Sequence, residues 1–229
     1  DIQTVISNTF SSHLSHVINA ILHAILHLSH LSHAMPHLLH ADSQHILSLR
    51  ECLDVFMRSM EADLHKTEYQ TTEEYEAYIY GSADVVGLMC LRVFCEGDDA
   101  EYQRLREPAC KLGAAFQKVN FLRDIKSDYE ERGRVYFPGV DFNQFDISVK
   151  ALIEKDIQKD FDDSLIGIAG LPAGAKLGVK VAYLYYQKLF DKIKKLPPET
   201  ITQQRVRIPN ARKLSLLFGS YLENKLGLS

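Results

Sequence analysis

The stretch FQKVNFLRDIKSDYEERGRVYFP, residues 116–138, carries the most specific information in this chain of 229 residues. Within it Gln117, Asn120, Asp124 and Asp128 follow one another at steps of three, four and four residues. On an α-helix this spacing places all four side chains on one face, along successive turns. Two carboxylates one turn apart, beside an amide oxygen, suit Mg²⁺, which takes hard oxygen ligands and completes its shell with substrate phosphates. The spacing therefore predicts a metal site shared with a phosphate-bearing substrate.

Two arginines accompany this face. Arg123 directly precedes Asp124, and Arg134 follows the end of the acidic stretch. A guanidinium group matches phosphate geometry, so both arginines are candidates for contacting a diphosphate. The alternative interpretation is a solvated helix face, which is where aspartates four residues apart usually lie. Like charges at this spacing destabilise a helix slightly, so the arrangement is unusual without being decisive.

Outward from this stretch, the chain is typical of an all-α protein. Gly and Pro are sparse over most of its length, helix formers dominate, and the alternation of a half-buried strand is hard to find. Thr72 and Asp146 are the predicted N-caps of two helices. Pro197 and Pro198 are predicted to end another. The predicted helices span residues 47–64, 78–94, 104–131, 146–168, 177–196 and 210–226.

Composition limits the function classes. Apolar residues make up 46% of the chain and charged residues 24%, as in ordinary globular proteins. The net charge of −4 gives no reason to expect nucleic-acid binding. The four cysteines form no CxxC pair, and no secretory signal is visible, which favours a reduced, cytoplasmic setting. The chain begins at Asp1 rather than Met, so we interpret it as a processed chain or a fragment.

We divide the chain into an atypical His-rich section, residues 1–46, and a helical domain, residues 47–229. Positions 2–41 contain no Asp, Glu, Lys or Arg, and nine of the ten histidines fall in the first section. The pattern predicts an amphipathic helix with a polar face of His and Ser. An imidazole or hydroxyl recurs every three or four residues, so we expect peripheral membrane contact and not a membrane span.

The same section holds two pairs of histidines spaced to chelate Zn²⁺, His23 with His27 and His33 with His37. No acidic residues are available nearby to orient these imidazoles. A low-complexity insertion is therefore the favoured interpretation over a native metal site.

The stretch at residues 116–138 resembles the second aspartate-rich motif of the squalene/phytoene synthase family. The family pattern is N-x-x-R-D-x-x-x-D followed by G-R-x-Y-x-P. Every fixed position is met, by Asn120, Arg123, Asp124, Asp128, Gly133, Arg134, Tyr136 and Pro138.

Other stretches between Leu53 and Leu214 agree with the family, most closely with its bacterial phytoene synthases. They are SMEADL at 59–64, YIYGSADVVG at 78–87, YYQKLFDKI at 185–193 and RVRIPNARKL at 205–214. Within the second of these, Ser82 and Asp84 depart from the small apolar residues usual in the family.

The resemblance implies an isoprenoid synthase helical bundle. It also implies a prenyltransferase of carotenoid biosynthesis that condenses two geranylgeranyl diphosphates head to head, giving phytoene through prephytoene diphosphate. The implied cofactor is Mg²⁺, with Mn²⁺ as a substitute. The implied metal ligands are Asn120, Asp124 and Asp128. The implied substrate contacts are Gln117, Arg123, Arg134, Tyr186 and Arg205, and Tyr78 and Asp63 join the two aspartates as catalytic candidates.

Two alternatives remain open at this point. A squalene or dehydrosqualene synthase would act on farnesyl diphosphate instead. A non-catalytic family member would only bind lipid or a partner.

The family's first aspartate-rich motif, D-x-x-x-D, has no counterpart here. The acidic residues before Glu51 are Asp1 and Asp42, and neither has an acidic partner four residues further on. We therefore expect a bundle that is N-terminally incomplete. Because each missing electrostatic contact costs about 10²–10³ in rate, we also expect substrate binding with little turnover.

Overall fold

A computed structural model describes residues 43–141 and 144–207. The predicted all-α fold is confirmed, since these residues form helices and no strand apart from one isolated bridge between Glu68 and Val135. The helices are α1 (Ser43–Ala62), α2 (Thr72–Ile79), a π-helical turn (Tyr80–Asp84), α3 (Val85–Phe94), α4 (Asp99–Arg132), α5 (Ile147–Gly170), α6 (Ala173–Lys194) and α7 (Pro198–Gln203). The predicted helix over 210–226 and the His-rich section up to residue 42 lie outside the described residues.

Helix ends follow from capping residues. Asp146 is the N-cap of α5, as predicted, and its carboxylate accepts hydrogen bonds from the backbone of Ser148 and Val149. The prediction of Thr72 as a cap was wrong by one residue, because Thr71 accepts the bond from Glu74 N. The predicted end of a helix at Pro197 and Pro198 is confirmed, since α6 ends at Lys194. Pro198 also lies in the first turn of α7, where proline's missing N–H costs nothing.

Helix α4 is the centre of the bundle and determines where the site lies. It is 34 residues long and packs against α3, the π-helical turn, α5, α6 and α7. Phe121 and Leu122 on α4 and Leu189 and Ile193 on α6 are fully buried. Helix α4 ends at Gly133, whose left-handed conformation (φ 61°) lets its N–H bond Tyr129 O at 3.0 Å. The acidic face therefore ends about one turn before the chain leaves the helix.

Small residues allow the π-helical turn to fit tightly between α1 and α4. A Cβ placed on Gly81 would lie 1.8 Å from Ser59 Oγ, and one placed on Gly113 would lie 2.9 Å from the carbonyl oxygen of Ala83. These positions therefore serve close helix–helix contact.

A pair of glycine substitutions tests this packing. Gly113→Ala should destabilise the fold by roughly 1–3 kcal/mol, because the new methyl meets a backbone carbonyl that cannot move aside alone. Gly174→Ala is the matched control, since a Cβ there meets nothing within 4 Å and alanine is the better helix former. Urea unfolding of both variants measures the difference. Equal stability of the two variants would contradict the tight contact.

The continuous helix from Thr72 to Phe94 is long and apolar enough to cross a membrane. However, 56% of its apolar window is buried inside the protein. This burial is what a core helix of a globular bundle shows, so the helix is accounted for by packing against α1 and α4. Peripheral membrane contact by residues 17–39 stays a prediction, because that segment lies outside the described residues.

Candidate active site

The four polar residues identified within residues 116–138 lie on one buried face of α4. The exposed fractions of Gln117, Asn120, Asp124 and Asp128 are 7%, 0%, 2% and 1%. Burying an ionised carboxylate is costly unless cations or a metal compensate it. The alternative of a solvated helix face is therefore excluded, and we expect groups that compensate the charge of the buried carboxylates to lie nearby.

Asp124 is held between two guanidinium groups. Arg123 donates from Nε to Oδ1 at 3.0 Å and from Nη2 to Oδ2 at 2.5 Å. Arg205, which follows α7, lies with Nε 2.6 Å from Oδ1 and Nη2 3.3 Å from Oδ2. Each arginine thus forms a two-pronged pair with the same carboxylate, which is the strong geometry for charge-assisted hydrogen bonds. The sequence separation of 81 residues between Asp124 and Arg205 shows that the tertiary fold brings them together.

A chain of hydrogen bonds runs along the preceding turn of α4. Tyr186 OH on α6 donates to Asn120 Oδ1 at 3.3 Å. Asn120 Nδ2 donates to Gln117 Oε1 at 3.5 Å, and Gln117 Nε2 donates to Ser82 Oγ at 3.3 Å. The ring of Tyr186 stacks on Phe116 with centroids 4.0 Å apart. Burial raises the pKa of Tyr186 to about 12, so its phenol remains a donor near neutral pH.

A second cluster surrounds Asp63. Tyr78 OH donates to Asp63 Oδ2 at 3.0 Å, and Arg134 donates to the Asp63 carbonyl oxygen. Arg134 Nη1 also lies 3.8 Å from Asp63 Oδ1 and 3.4 Å from Tyr136 OH. Burial, with Tyr136 and Asp63 nearby, raises the pKa of Tyr78 well above its ordinary value. Arg134 therefore contacts Asp63 through both its carboxylate and its backbone carbonyl.

Four aromatic rings cover this cluster on its apolar side. Phe121 and Tyr136 stack at 3.9 Å with an angle of 10° between their planes, and Tyr78 stacks on Tyr136 at 5.7 Å. Tyr69 lies 4.6 Å from the ring of Tyr78. Sequence reasoning did not identify Tyr69, because it lies in a polar connection with no helical periodicity. Asp128 and Arg134 both line a small pocket whose other walls are apolar and include Phe121 and Tyr136.

The donor set on α4 fits Mg²⁺ that also binds a substrate. No group of three or more His, Cys, Asp or Glu residues that could hold a metal ion occurs within 43–141 and 144–207. Asp124, Asp128 and Asn120 offer two carboxylates and one amide oxygen. That set is too small for an all-protein cage, yet Mg²⁺ commonly binds one or two carboxylates and completes its shell with waters and phosphate oxygens.

Comparison with known proteins agrees with this arrangement. Residues 14–212 match the family described as squalene/phytoene synthase. A 15-cis-phytoene synthase of Synechocystis sp. is 32% identical over 178 residues, which is 68% of this chain and 52% of that protein. A 15-cis-phytoene synthase of Enterobacter agglomerans is 29% identical over 170 residues, covering 68% of this chain and 56% of that protein. The chain thus spans about half the length of the curated relatives it matches.

Among solved structures, a dehydrosqualene synthase in complex with a ligand superimposes with a TM-score of 0.61 at 21% identity. The alignment covers 76% of this chain and 65% of that structure, and supports the isoprenoid synthase fold. The family match begins at residue 14, inside the His-rich section, so the division at residue 46 stays a prediction. The match over most of the chain, together with the buried polar face of α4, establishes that this protein belongs to the squalene/phytoene synthase family.

Proposed function

We propose that the chain is the substrate-binding part of a phytoene synthase that joins two geranylgeranyl diphosphates head to head. The observation that carries the proposal is the buried Asp124 clamped by Arg123 and Arg205. A carboxylate suited to binding a metal lies there beside two guanidinium groups suited to binding a diphosphate. The names of the relatives favour geranylgeranyl diphosphate as substrate.

Arg123 and Arg205 can each bind either Asp124 or the diphosphate of a substrate. In the described structure their four donors satisfy Asp124. A diphosphate offers more negative charge and the same bidentate geometry, so it draws the guanidinium groups away from Asp124. Asp124 then becomes available to hold Mg²⁺ together with Asp128 and Asn120. Mg²⁺, when bound, stabilises the negative charge of the departing diphosphate.

The aromatic rings are suited to stabilising the carbocation that remains after diphosphate has left. Loss of diphosphate leaves an allylic carbocation, which needs an environment that excludes water and offers π-electron faces. Tyr136 and Phe121 line the small pocket at Asp128, and the ring of Tyr78 stacks on both of them. Tyr78 is oriented by its bond to Asp63, which Arg134 holds in turn.

The proposed exchange of Arg205 from Asp124 to a bound diphosphate predicts that one substitution has opposite effects on the affinities for Mg²⁺ and for diphosphate. Arg205→Ala should strengthen Mg²⁺ binding measured without diphosphate, because Asp124 loses a competing partner. The same change should weaken binding of a prenyl diphosphate by roughly 10- to 100-fold, the cost of a lost charge-assisted pair. Isothermal titration measures both constants. Arg207→Ala, in the same segment, is the control. A fall in both affinities would contradict the exchange.

Product analysis tests the proposed reaction. The chain is incubated with Mg²⁺ and radiolabelled geranylgeranyl or farnesyl diphosphate, alone and fused to a family helix bearing D-x-x-x-D. We expect phytoene from the fusion and only traces from the chain alone, because residues 2–41 supply no carboxylate. A preference for farnesyl diphosphate would instead favour the dehydrosqualene-type reaction. Intact binding without any product in either form would favour a non-catalytic role.

A further inference from the structure

Ser82 occupies a position that the proposed mechanism does not use. It lies in the π-helical turn Tyr80–Asp84, where the N–H of Val85 bonds Tyr80 O and an extra residue is accommodated in the turn. Such turns are frequent at functional sites because they redirect a side chain. Ser82 is 6% exposed, and its hydroxyl accepts the hydrogen bond from Gln117 Nε2.

The backbone around Ser82 is fixed from two sides. Gly81, before it, lies against Ser59 of α1, and Ala83, after it, lies against Gly113 of α4. Either contact would be broken by a side chain at the glycine. Gly113 and Gln117 are one turn apart on α4, so the contact that holds the π-helical turn also sets the distance from Ser82 to Gln117.

Ser82 is one end of a hydrogen-bond chain that runs through Gln117 and Asn120 to Tyr186. Gln117 Nε2 donates to Ser82 Oγ, and Gln117 Oε1 accepts from Asn120 Nδ2. In this arrangement the oxygen of Asn120 lies on the side of Tyr186, which donates to it. This polarity matters because Mg²⁺ binds the amide oxygen and not the amide nitrogen. Gln117, Asn120 and Tyr186 are themselves buried, so water does not readily substitute for a missing partner.

We propose that Ser82 is a positioning residue that keeps the Asn120 carboxamide oxygen available to the metal. This inference rests on the proposed function, since it concerns how the site on α4 holds Mg²⁺. Without the hydroxyl, Gln117 Nε2 loses its acceptor inside a buried site, so Gln117 is free to turn and the bond that orients Asn120 is lost. The Asn120 oxygen is then no longer held towards the metal site.

The test measures Mg²⁺ affinity and not turnover. Mg²⁺ is titrated by calorimetry into the chain saturated with a geranylgeranyl diphosphate analogue in which sulfur replaces the bridging oxygen. Ser82→Ala removes one oxygen atom and creates no clash. It should weaken Mg²⁺ binding about tenfold, the lower end of the range for outer-shell partners of metal ligands. Binding of the analogue without Mg²⁺ should be unchanged. Ser82→Thr, which keeps the hydroxyl, should restore the Mg²⁺ affinity.

Ser164→Ala is the matched control. Ser164 is also a buried serine, and its hydroxyl bonds Phe161 O within α5 at 2.7 Å, outside the chain of bonds described above. It should leave Mg²⁺ affinity unchanged whatever it does to the melting temperature. Wild-type Mg²⁺ affinity in Ser82→Ala would overturn the inference, and so would an equal loss of Mg²⁺ and Mg²⁺-free analogue binding. If the unmodified chain takes up no Mg²⁺ beside the analogue, the proposed function itself fails.

Discussion

Asp124→Ala should abolish the Mg²⁺-dependent part of prenyl diphosphate binding. The metal then loses one of its two carboxylates on α4, and we expect the gain in affinity that Mg²⁺ gives to fall by about 10²–10³, as for other single electrostatic contacts of this kind. Binding without Mg²⁺ should persist or improve, because Arg123 and Arg205 no longer have Asp124 as a partner. Calorimetric titration of the sulfur-bridged analogue, with and without Mg²⁺, separates the two effects.

The control for this substitution is Asp156→Ala. Asp156 also pairs with a buried cation, Lys118, at 2.5 Å, but Lys118 lies towards α5 and not on the polar face of Asp124. Asp156→Ala should leave the Mg²⁺ dependence of analogue binding unchanged. If Asp124→Ala binds the analogue as the unmodified chain does, both with and without Mg²⁺, then the site assignment on α4 is wrong.

The second large effect concerns stability and pH. Asp84, the last residue of the π-helical turn, has its pKa raised from 3.8 to about 7, first by burial and then by Asp160, against the opposing charges of Lys111 and Lys118. Its Oδ1 has no hydrogen-bond partner among the residues that the structure describes. A carboxyl group whose pKa is raised on folding stabilises the fold below its unfolded pKa. That contribution is lost as pH rises through the folded pKa.

Asp84→Asn should therefore stabilise the protein at high pH. Asparagine carries no charge, so its advantage over aspartate should grow between pH 5 and pH 8 by on the order of 2–3 kcal/mol. Urea unfolding at the two pH values gives the difference. Asp163→Asn, at an exposed aspartate paired with Lys159, is the control and should show no such growth. A constant difference between Asp84→Asn and the unmodified chain at both pH values would refute the buried-carboxyl interpretation.

Much of the helical fold could be predicted from local signals. The spacing of Gln117, Asn120, Asp124 and Asp128 predicted one helix face, in a helix predicted to end at residue 131. Both predictions are confirmed, because helical periodicity and capping are properties of short segments. The short helix α7 was missed, since Pro197 and Pro198 were read only as a stop signal and proline in the first turn of a helix gives the same pattern.

The partners of the site residues could not be predicted in the same way. Nothing in the spacing indicated that Arg134 lies on Asp63, 71 residues away, or that Arg205 closes on Asp124. Ser82 was recognised only as a departure from a family pattern. Its bond to Gln117 depends on an extra residue in the π-helical turn, which has no reliable sequence signal. The metal, substrate and catalytic roles of these residues stay proposals that the substitutions above test.

A crystal structure of the chain with Mg²⁺ and the sulfur-bridged geranylgeranyl diphosphate analogue would show the positions of Arg205, Asp124 and both ligands at once. We expect Arg205 Nε to leave its position 2.6 Å from Asp124 Oδ1 and to bind a diphosphate oxygen. We also expect Asp124 and Asp128 to bind Mg²⁺ together with the diphosphate. The contrary result is a complex in which both arginines still hold Asp124 and the diphosphate and Mg²⁺ lie elsewhere.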